Sequence, residues 1–356
     1  MSGGVDSSVA AALLKRAGFS ATGVYMKLNN FSSLVEKRAR KVAKILKIPF
    51  YVFNFEKEFK KKIVNCFLKE YKAGRTPNPC VVCNKEIKFG LLLGKTLRLN
   101  ADFVATGHYA RKRETNDKQQ ETRYRLLKGK DIDKDQSYFL WQLSQNQLSR
   151  ILFPVGNHTK EEVRKLAKKF RLPVFDAPES QEICFISGNI ADFLKKYLKE
   201  KPGNIVVKED KSSSSPFAAA RVDKQGKILG RHRGLWFYTI GQRKGIGLSG
   251  GPYFVLDKNI KQNVLIVTKN EKDLLKKELM VKNVNWILGK PPKFPIKIKV
   301  KIRYRHEPAW ATLYRLNSKV YRLRFDGPQR AITAGQSVVF YSGQELLGGG
   351  IICYNK

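Results

Sequence analysis

Along the first part of the chain, short apolar runs alternate with longer stretches in which apolar and basic residues recur at helical spacing. The runs Thr22 to Met26, Phe50 to Phe55 and Phe103 to Thr106 have strand length, and the amphipathic stretches between them predict helices packed on a parallel sheet. Val9 to Phe19 is one such stretch, with Gly18 as its stop. Another starts at the capping residue Thr159, carries Glu161 and Glu162 in its first turn and lysines in its last, and ends at Phe170 before Pro173.

The pattern changes at Pro202-Gly203. Glycines at 226, 230, 234, 241, 245 and 247 then punctuate short β-rich runs, and the serine run Ser212 to Ser215 reads as a loop. Strict alternation in Ile296 to Tyr304 and in Val320 to Phe325 predicts antiparallel strands of a small barrel, apolar on one face and cationic on the other. The pattern thus predicts three domains: an α/β N-terminal domain with a parallel sheet and a helical extension over 1–200, a small β-rich central domain over 201–278, and a C-terminal β-barrel over 279–356. No repeat at solenoid spacing is present.

Composition narrows the class. With 356 residues and 42% apolar content, the chain can build several cores, and no apolar run approaches the ~20 residues of a membrane span. No secretory signal precedes the first helix, so a cytoplasmic protein is expected. The five cysteines, Cys66, Cys80, Cys83, Cys184 and Cys353, are odd in number and widely spread, which suits reduced thiols and not a disulfide scaffold. Lys and Arg total 69 against 30 acidic residues, a net charge of +39; a surface of that sign favours a polyanionic partner such as RNA.

Two clusters carry candidate chemistry. Ser2-Gly3-Gly4-Val5-Asp6-Ser7-Ser8 places two glycines before a helix whose cap is expected at Ser7 or Ser8, a backbone anion site with Asp6 placed to hold a counter-cation. It is neither a Walker loop nor a dinucleotide fingerprint. The second cluster, Arg75-Thr-Pro-Asn-Pro-Cys80-Val-Val-Cys83-Asn-Lys-Glu-Ile-Lys-Phe89, sets two thiols where a loop enters a helix. The helix dipole, Lys85 and Lys88 are expected to lower their pKa. A third thiol, Cys184, follows Pro178 in Glu179-Ser-Gln-Glu-Ile-Cys-Phe.

SGGVDSS resembles the phosphate motif of the PP-loop ATP pyrophosphatases, which release pyrophosphate from ATP while adenylating an oxygen. Together with GRTPNPCVVCNKEIKFG, ATGHYAR, KDQSYFLW, SQEICFI, GLWFYTIGQRKGIGL and RAITAGQSVVFY, taken in order, it makes nearly the whole chain resemble the bacterial tRNA-specific 2-thiouridylases. In PP-loop proteins the motif follows a parallel strand; none stands before it here, so a late start or a truncation is expected.

The resemblance implies ATP and Mg2+ at Ser2, Gly3, Gly4, Val5, Asp6, Ser7 and Ser8, with adenine and ribose contacts at Met26 and Gly107. It implies adenylation of O2 of the wobble uridine, a persulfide on Cys184, and Cys83 as nucleophile or resolving thiol. It implies contacts with the tRNA anticodon stem-loop at Asn78, Pro79, Cys80, His108, Lys134, Asp135, Gln136, Arg303, Tyr304 and Gln336. The implied sulfur source is a cysteine desulfurase, a sulfur-relay protein or sulfide, and the implied state is a monomer away from membranes.

One position departs from that pattern. The residue three before the nucleophile is usually aspartate, and here it is Cys80, which leaves the acid–base role unassigned. Cys80, Cys83 and Cys184 resemble instead the three cluster ligands of other PP-loop tRNA thiolases, in which a [4Fe-4S] cluster binds sulfide at its open iron. Zinc suits the set less well, because a closed site needs a fourth ligand. Cluster and metal-free relay both remain open on sequence. The rival functions are another AMP-forming PP-loop enzyme and a non-catalytic RNA-binding protein.

Overall fold

The structure, a computed structural model, describes residues 1–29, 33–116, 121–177, 183–208, 222–223 and 226–354. Pro178 to Glu182 and the serine run 212–215 lie outside the described residues.

The N-terminal domain opens with helix α1 (Val5–Arg16), followed by β1 (Gly23–Lys27), α2 (Ser33–Ile45) and β2 (Phe50–Asn54). Strands β1 and β2 pair in parallel, Met26 opposite Phe53. A second parallel pair joins β3 (Val104–Ala105) to β6 (Ile151–Leu152), and between them in sequence lies the hairpin β4 (Ala110–Asn116) and β5 (Thr122–Lys128). Among the described residues no strand precedes α1; the Met1 amine donates to the Val24 carbonyl of β1, and burial lowers that amine to about 5. Val5, Val9 and Ala12 of α1 bury against Tyr109, Val155 and Val163. Val163 belongs to helix Lys160–Lys169, which begins as expected at Thr159 with a reciprocal capping box to Glu162.

The central domain is a five-stranded sheet in the order β10-β11-β7-β9-β8, from β7 (Gly203–Val207), β8 (Val222–Asp223), β9 (Gly226–His232), β10 (Phe254–Asn259) and β11 (Val264–Thr268). Ile205, Tyr238, Ile246, Phe254 and Leu265 form its core.

The C-terminal domain is the expected barrel. Strands β12 (Leu275–Trp286), β13 (Ile296–Lys301), β14 (Ala309–Arg315), β15 (Val320–Arg330), β16 (Ser337–Ser342) and β17 (Glu345–Cys353) run in the order β12-β15-β14-β13-β16-β17 and close through β12 on β17. Alternation sorts the side chains: Tyr321, Leu323 and Phe325 are buried, while Arg322 and Arg324 face solvent.

The barrel does not stand apart from the N-terminal domain. The β4–β5 hairpin extends its sheet, with Leu126 paired to Leu346 of β17. Segment Ser137 to Trp141 plugs into it: Tyr138 Oη donates to the Ser337 carbonyl at 2.9 Å, and Trp141 Nε1 donates to Ser337 Oγ at 3.0 Å. Trp141 is fully buried. Removing roughly 200 Å2 of ring at about 25 cal/mol/Å2 outweighs the ~1 kcal/mol of its hydrogen bond, so docking here is chiefly apolar.

Candidate active site

The glycine loop meets α1 as a backbone cradle. Gly4 is the N-cap with extended backbone, and Gly3 has φ +67°. A Cβ on Gly3 would lie 2.4 Å from the Val35 carbonyl oxygen of α2. The first intrahelical bond runs from Ser8 N to Gly4 O, so the amides of Val5, Asp6 and Ser7 precede it at the positive end of the helix, as an anion site requires. The expected serine cap is corrected by this geometry. The helix starts at Val5, ahead of both serines, and the Ser7 and Ser8 hydroxyls donate back to the Gly4 carbonyl at 3.2 and 2.9 Å. Ser2 holds the turn by donating its amide to Ser7 Oγ at 3.1 Å.

Asp6 has protein partners that sequence reasoning missed. Its Oδ1 accepts from Lys160 Nζ at 2.6 Å and from Tyr109 Oη at 2.7 Å. Lys160 lies 154 residues away, and its only sequence signal is a cation in the first turn of a helix, against the dipole, where a compensating anion is wanted. Gly107 touches the same turn: a Cβ there would fall 2.7 Å from both the Asp6 carbonyl carbon and the Ser7 nitrogen. Met26, at the end of β1, packs half-buried against the cluster that holds Cys83.

Pro79 starts the cysteine helix at its first position after Asn78, and the helix continues from Cys83 into π-helical turns over Asn84–Leu92, a geometry common at functional sites. Cys83 is buried with Phe53, Phe67, Phe185 and Ile186, the last two following Cys184 in the chain. Cys80 is half-buried and Cys184 exposed. The structure brings the three thiols within electrostatic reach of one another and of Lys88.

The expected lowering of the thiol pKa is corrected. Burial pushes Cys83 up to about 12, and Lys88 opposes that only in part. Cys80 is also raised, chiefly by burial, and Cys184, though it reaches solvent, is raised because neighbouring protein displaces much of the surrounding water; Lys88 is again the opposing charge. Desolvation exceeds a single nearby cation, and Lys85 has no part in the balance. Among the described residues no set of three His, Cys, Asp or Glu side chains is arranged to hold a metal ion, and all five cysteines are free.

His108 links the two centres. It is buried, its Nδ1 lies 2.8 Å from Thr106 Oγ1, and its Nε2 lies 3.5 Å from Lys88 Nζ. Burial first, and Lys88 second, hold its pKa well below the ordinary histidine value, so the ring is neutral and accepts from the ammonium. One loop, Thr106 to Tyr109, thus touches the phosphate cradle through Gly107 and Tyr109 and the thiol group through His108 and Lys88.

The other residues expected to touch RNA have internal partners. Asp135 is buried and accepts from the amides of Gly129 and Ser137, both at 3.0 Å; burial raises its carboxyl. Gln136 Oε1 accepts from the Tyr109 amide at 3.1 Å, and the Lys134 amide donates to Asp131. Gln136 therefore braces the Tyr109 loop from within the protein, while Asp135 ties the Ser137 segment to Gly129. Arg303 donates to the Ala331 carbonyl and, at 3.1 Å, to Thr333 Oγ1. The Tyr304 ring packs on Phe139 at 4.4 Å. Gln336 Nε2 donates to the Thr76 carbonyl at 2.9 Å, and the Asn78 side chain bonds the Tyr138 hydroxyl. The barrel thereby grips the loop that leads into Cys80 and Cys83.

Three family models cover the chain in sequence. Residues 1–188 match the tRNA methyl transferase HUP domain, residues 191–269 the tRNA methyl transferase PRC-barrel domain, and residues 276–352 the Aminomethyltransferase beta-barrel domain. The chain is 44% identical to the tRNA-specific 2-thiouridylase MnmA of Clostridioides difficile, over 99% of this chain and 96% of that protein. It is also 44% identical to the proteins of that name from Syntrophomonas wolfei and Moorella thermoacetica, over 99% of this chain and 98% of each relative. With all three domains matched and identity extending over nearly its whole length, the chain belongs to the tRNA-specific 2-thiouridylase family.

Proposed function

We propose that this protein thiolates C2 of the wobble uridine of tRNA at the expense of ATP. The observation that carries the reading is the single Thr106 to Tyr109 loop, which joins a phosphate cradle to a group of thiols. The uridine O2 attacks the α-phosphorus of ATP, and pyrophosphate leaves from the cradle formed by the amides of Val5, Asp6 and Ser7. The close fit of Gly107 against Asp6 and Ser7 brings a second stretch of backbone without a side chain up to that end of α1, which suits a phosphate chain. Mg2+ would neutralise phosphate charge there, with Asp6 as its carboxylate.

Sulfur arrives as a persulfide on exposed Cys184, supplied by a sulfane-sulfur donor protein such as a cysteine desulfurase. The outer sulfur attacks C2, and AMP departs with the electron pair of the C2–O2 bond. Cys83, once deprotonated, attacks Cys184 Sγ; the bond to the transferred sulfur breaks, 2-thiouridine leaves, and a Cys83–Cys184 disulfide forms for a thiol reductant to reopen. Exposure of Cys184 suits loading by a donor, and burial of Cys83 protects the resolving thiol. No step uses a metal cluster.

The test separates the half-reactions. Cys184→Ser should abolish 2-thiouridine in nucleoside analysis while keeping tRNA-dependent pyrophosphate release, whereas thiolation by an iron-free Cys184→Ser protein would sink the relay. Loss of all thiolation on Cys80→Ser, together with iron in anaerobically purified wild type, would restore the cluster.

A further inference from the structure

The motif Gly241-Gln-Arg-Lys-Gly-Ile-Gly247 plays no part in the chemistry above, yet it is a built feature of the central domain. Gln242 locks it: the side-chain Oε1 accepts from the Thr239 amide at 3.0 Å and Nε2 donates to the Lys244 carbonyl at 2.9 Å. Gly241, Gly245 and Gly247 all have positive φ, between 74° and 83°, so the loop turns back repeatedly. It folds around a cavity of about 540 Å3 lined by Arg243, Lys244, Ile246, Leu248 and Tyr253 among others, with no acidic residue in the lining. Arg243 and Lys244 are exposed at its edge, and a third cation, Lys269, stands over the Tyr253 ring at 5.3 Å.

The loop is continuous with the barrel face that carries Arg303. Arg330 Nη2 donates to the Gly241 carbonyl at 3.5 Å, and a Cβ on Gly241 would lie 2.6 Å from the Ala331 Cβ. The Ala331 carbonyl is in turn an acceptor for Arg303. Cations therefore follow one another across the junction of two domains from Arg303 through Arg330, which is itself paired with Glu271 at 2.7 Å, to Arg243 and Lys244, the two that carry no such carboxylate in the loop's lining. A rigid, glycine-built turn with cations at its rim and no carboxylate within suits the phosphodiester backbone of RNA, whose charges neutralise the lysine and arginine and release counterions.

We propose that the Gly241–Gly247 loop is a second RNA-backbone contact, in which Arg243 and Lys244 seat phosphates of the tRNA beyond those held by the barrel. The inference rests on the proposed tRNA substrate and adds the central domain to its docking surface. It predicts a contact that is electrostatic and indifferent to sequence.

The experiment measures binding of a tRNA transcript to the full-length protein across a salt series, comparing wild type with Arg243→Ala/Lys244→Ala and with Arg243→Glu/Lys244→Glu. The alanine pair should weaken affinity on the order of tenfold at physiological salt and make the log–log salt slope shallower by about 1.5 to 2 units, as for two lost phosphate contacts. The glutamate pair should weaken it further. Melting temperature and ATP affinity should stay at wild-type values, which separates the effect from misfolding. Unchanged affinity and slope in the glutamate pair would overturn the surface while leaving the tRNA substrate intact. Unchanged tRNA binding combined with failed sulfur delivery from a protein persulfide donor would overturn it too, since the loop would then dock protein. A wild type that binds no tRNA would overturn the proposed function itself, and this surface with it.

Discussion

The phosphate cradle and the thiol group, joined by one loop, are prepared in opposite ways. Around α1 the charges are already in place: backbone amides, the Asp6 carboxylate and the Lys160 ammonium at 2.6 Å need only a ligand. Around Cys83 the reactive form is withheld, because burial holds the thiol protonated, with its pKa near 12. For the proposed mechanism, the difference teaches that preorganised charge would set the first half-reaction and a proton to be removed after substrate arrives would set the second.

Changes that strike one centre and spare the other sharpen this contrast. The largest effect is expected from Asp6→Ala, which should cut tRNA-dependent pyrophosphate release by about a thousandfold or more while tRNA binding persists; undiminished release would remove Asp6 from the cradle.

Next in size is the alkylation of Cys83. At pH 8 its rate with iodoacetamide should lie a hundredfold or more below that of the unfolded chain and climb without a plateau toward pH 10, because a rise from 9.0 to about 12 removes most of the thiolate. The linkage sign follows from the same shift. The folded pKa is the higher one, so this thiol's contribution to stability is complete below pH 9 and is lost as pH rises toward 12. Replacement by alanine should flatten that part of the alkaline denaturation profile. Fast labelling of native Cys83 at neutral pH would show the site to be poised and not withheld.

Gly107→Ala should come third. Its new methyl meets the Asp6–Ser7 backbone at 2.7 Å, which only a shift of the loop can relieve, so ATP affinity should drop by roughly tenfold or more. A normal ATP titration would mean the cradle is soft. Lys160→Met should then lower stability by about 1–2 kcal/mol in urea denaturation, between the values for exposed and fully buried pairs, since the lysine side chain is 13% exposed and Asp6 32%. Arg303→Ala is expected to be the mildest: a several-fold loss of tRNA affinity and a salt slope shallower by about one unit, with both half-centres unaffected.

Local order is legible in the sequence where backbone chemistry repeats over a few residues. The parallel strands, the Thr159 cap and the barrel alternation at Ile296 and Val320 all follow from nearest-neighbour patterns. The residue pattern misplaces the cap of α1 because glycine can serve as N-cap without a side chain, which shifts the helix start while the pattern stays the same. The seven motifs are visible as a set, but their division of labour is not. In KDQSYFLW the resemblance implies RNA contacts at Lys134, Asp135 and Gln136 and says nothing of the rest, whereas in the fold Ser137, Tyr138 and Trp141 bond Tyr341 and Ser337 of the barrel.

By itself, then, the sequence determined the α/β domain and the closing barrel, the glycine turn at a helix start, the basic character of the surface and the identity of the thiols. Each of these depends on residue type and short spacing. The tertiary structure alone decided that Lys160 meets Asp6, that Gly107 rests on the first turn of α1, that Gln336 bonds the Thr76 carbonyl, and that burial pushes the Cys83 thiol up and not down. Those outcomes depend on which distant groups share a volume and how much water the packing removes, and neither has a local signature in the chain.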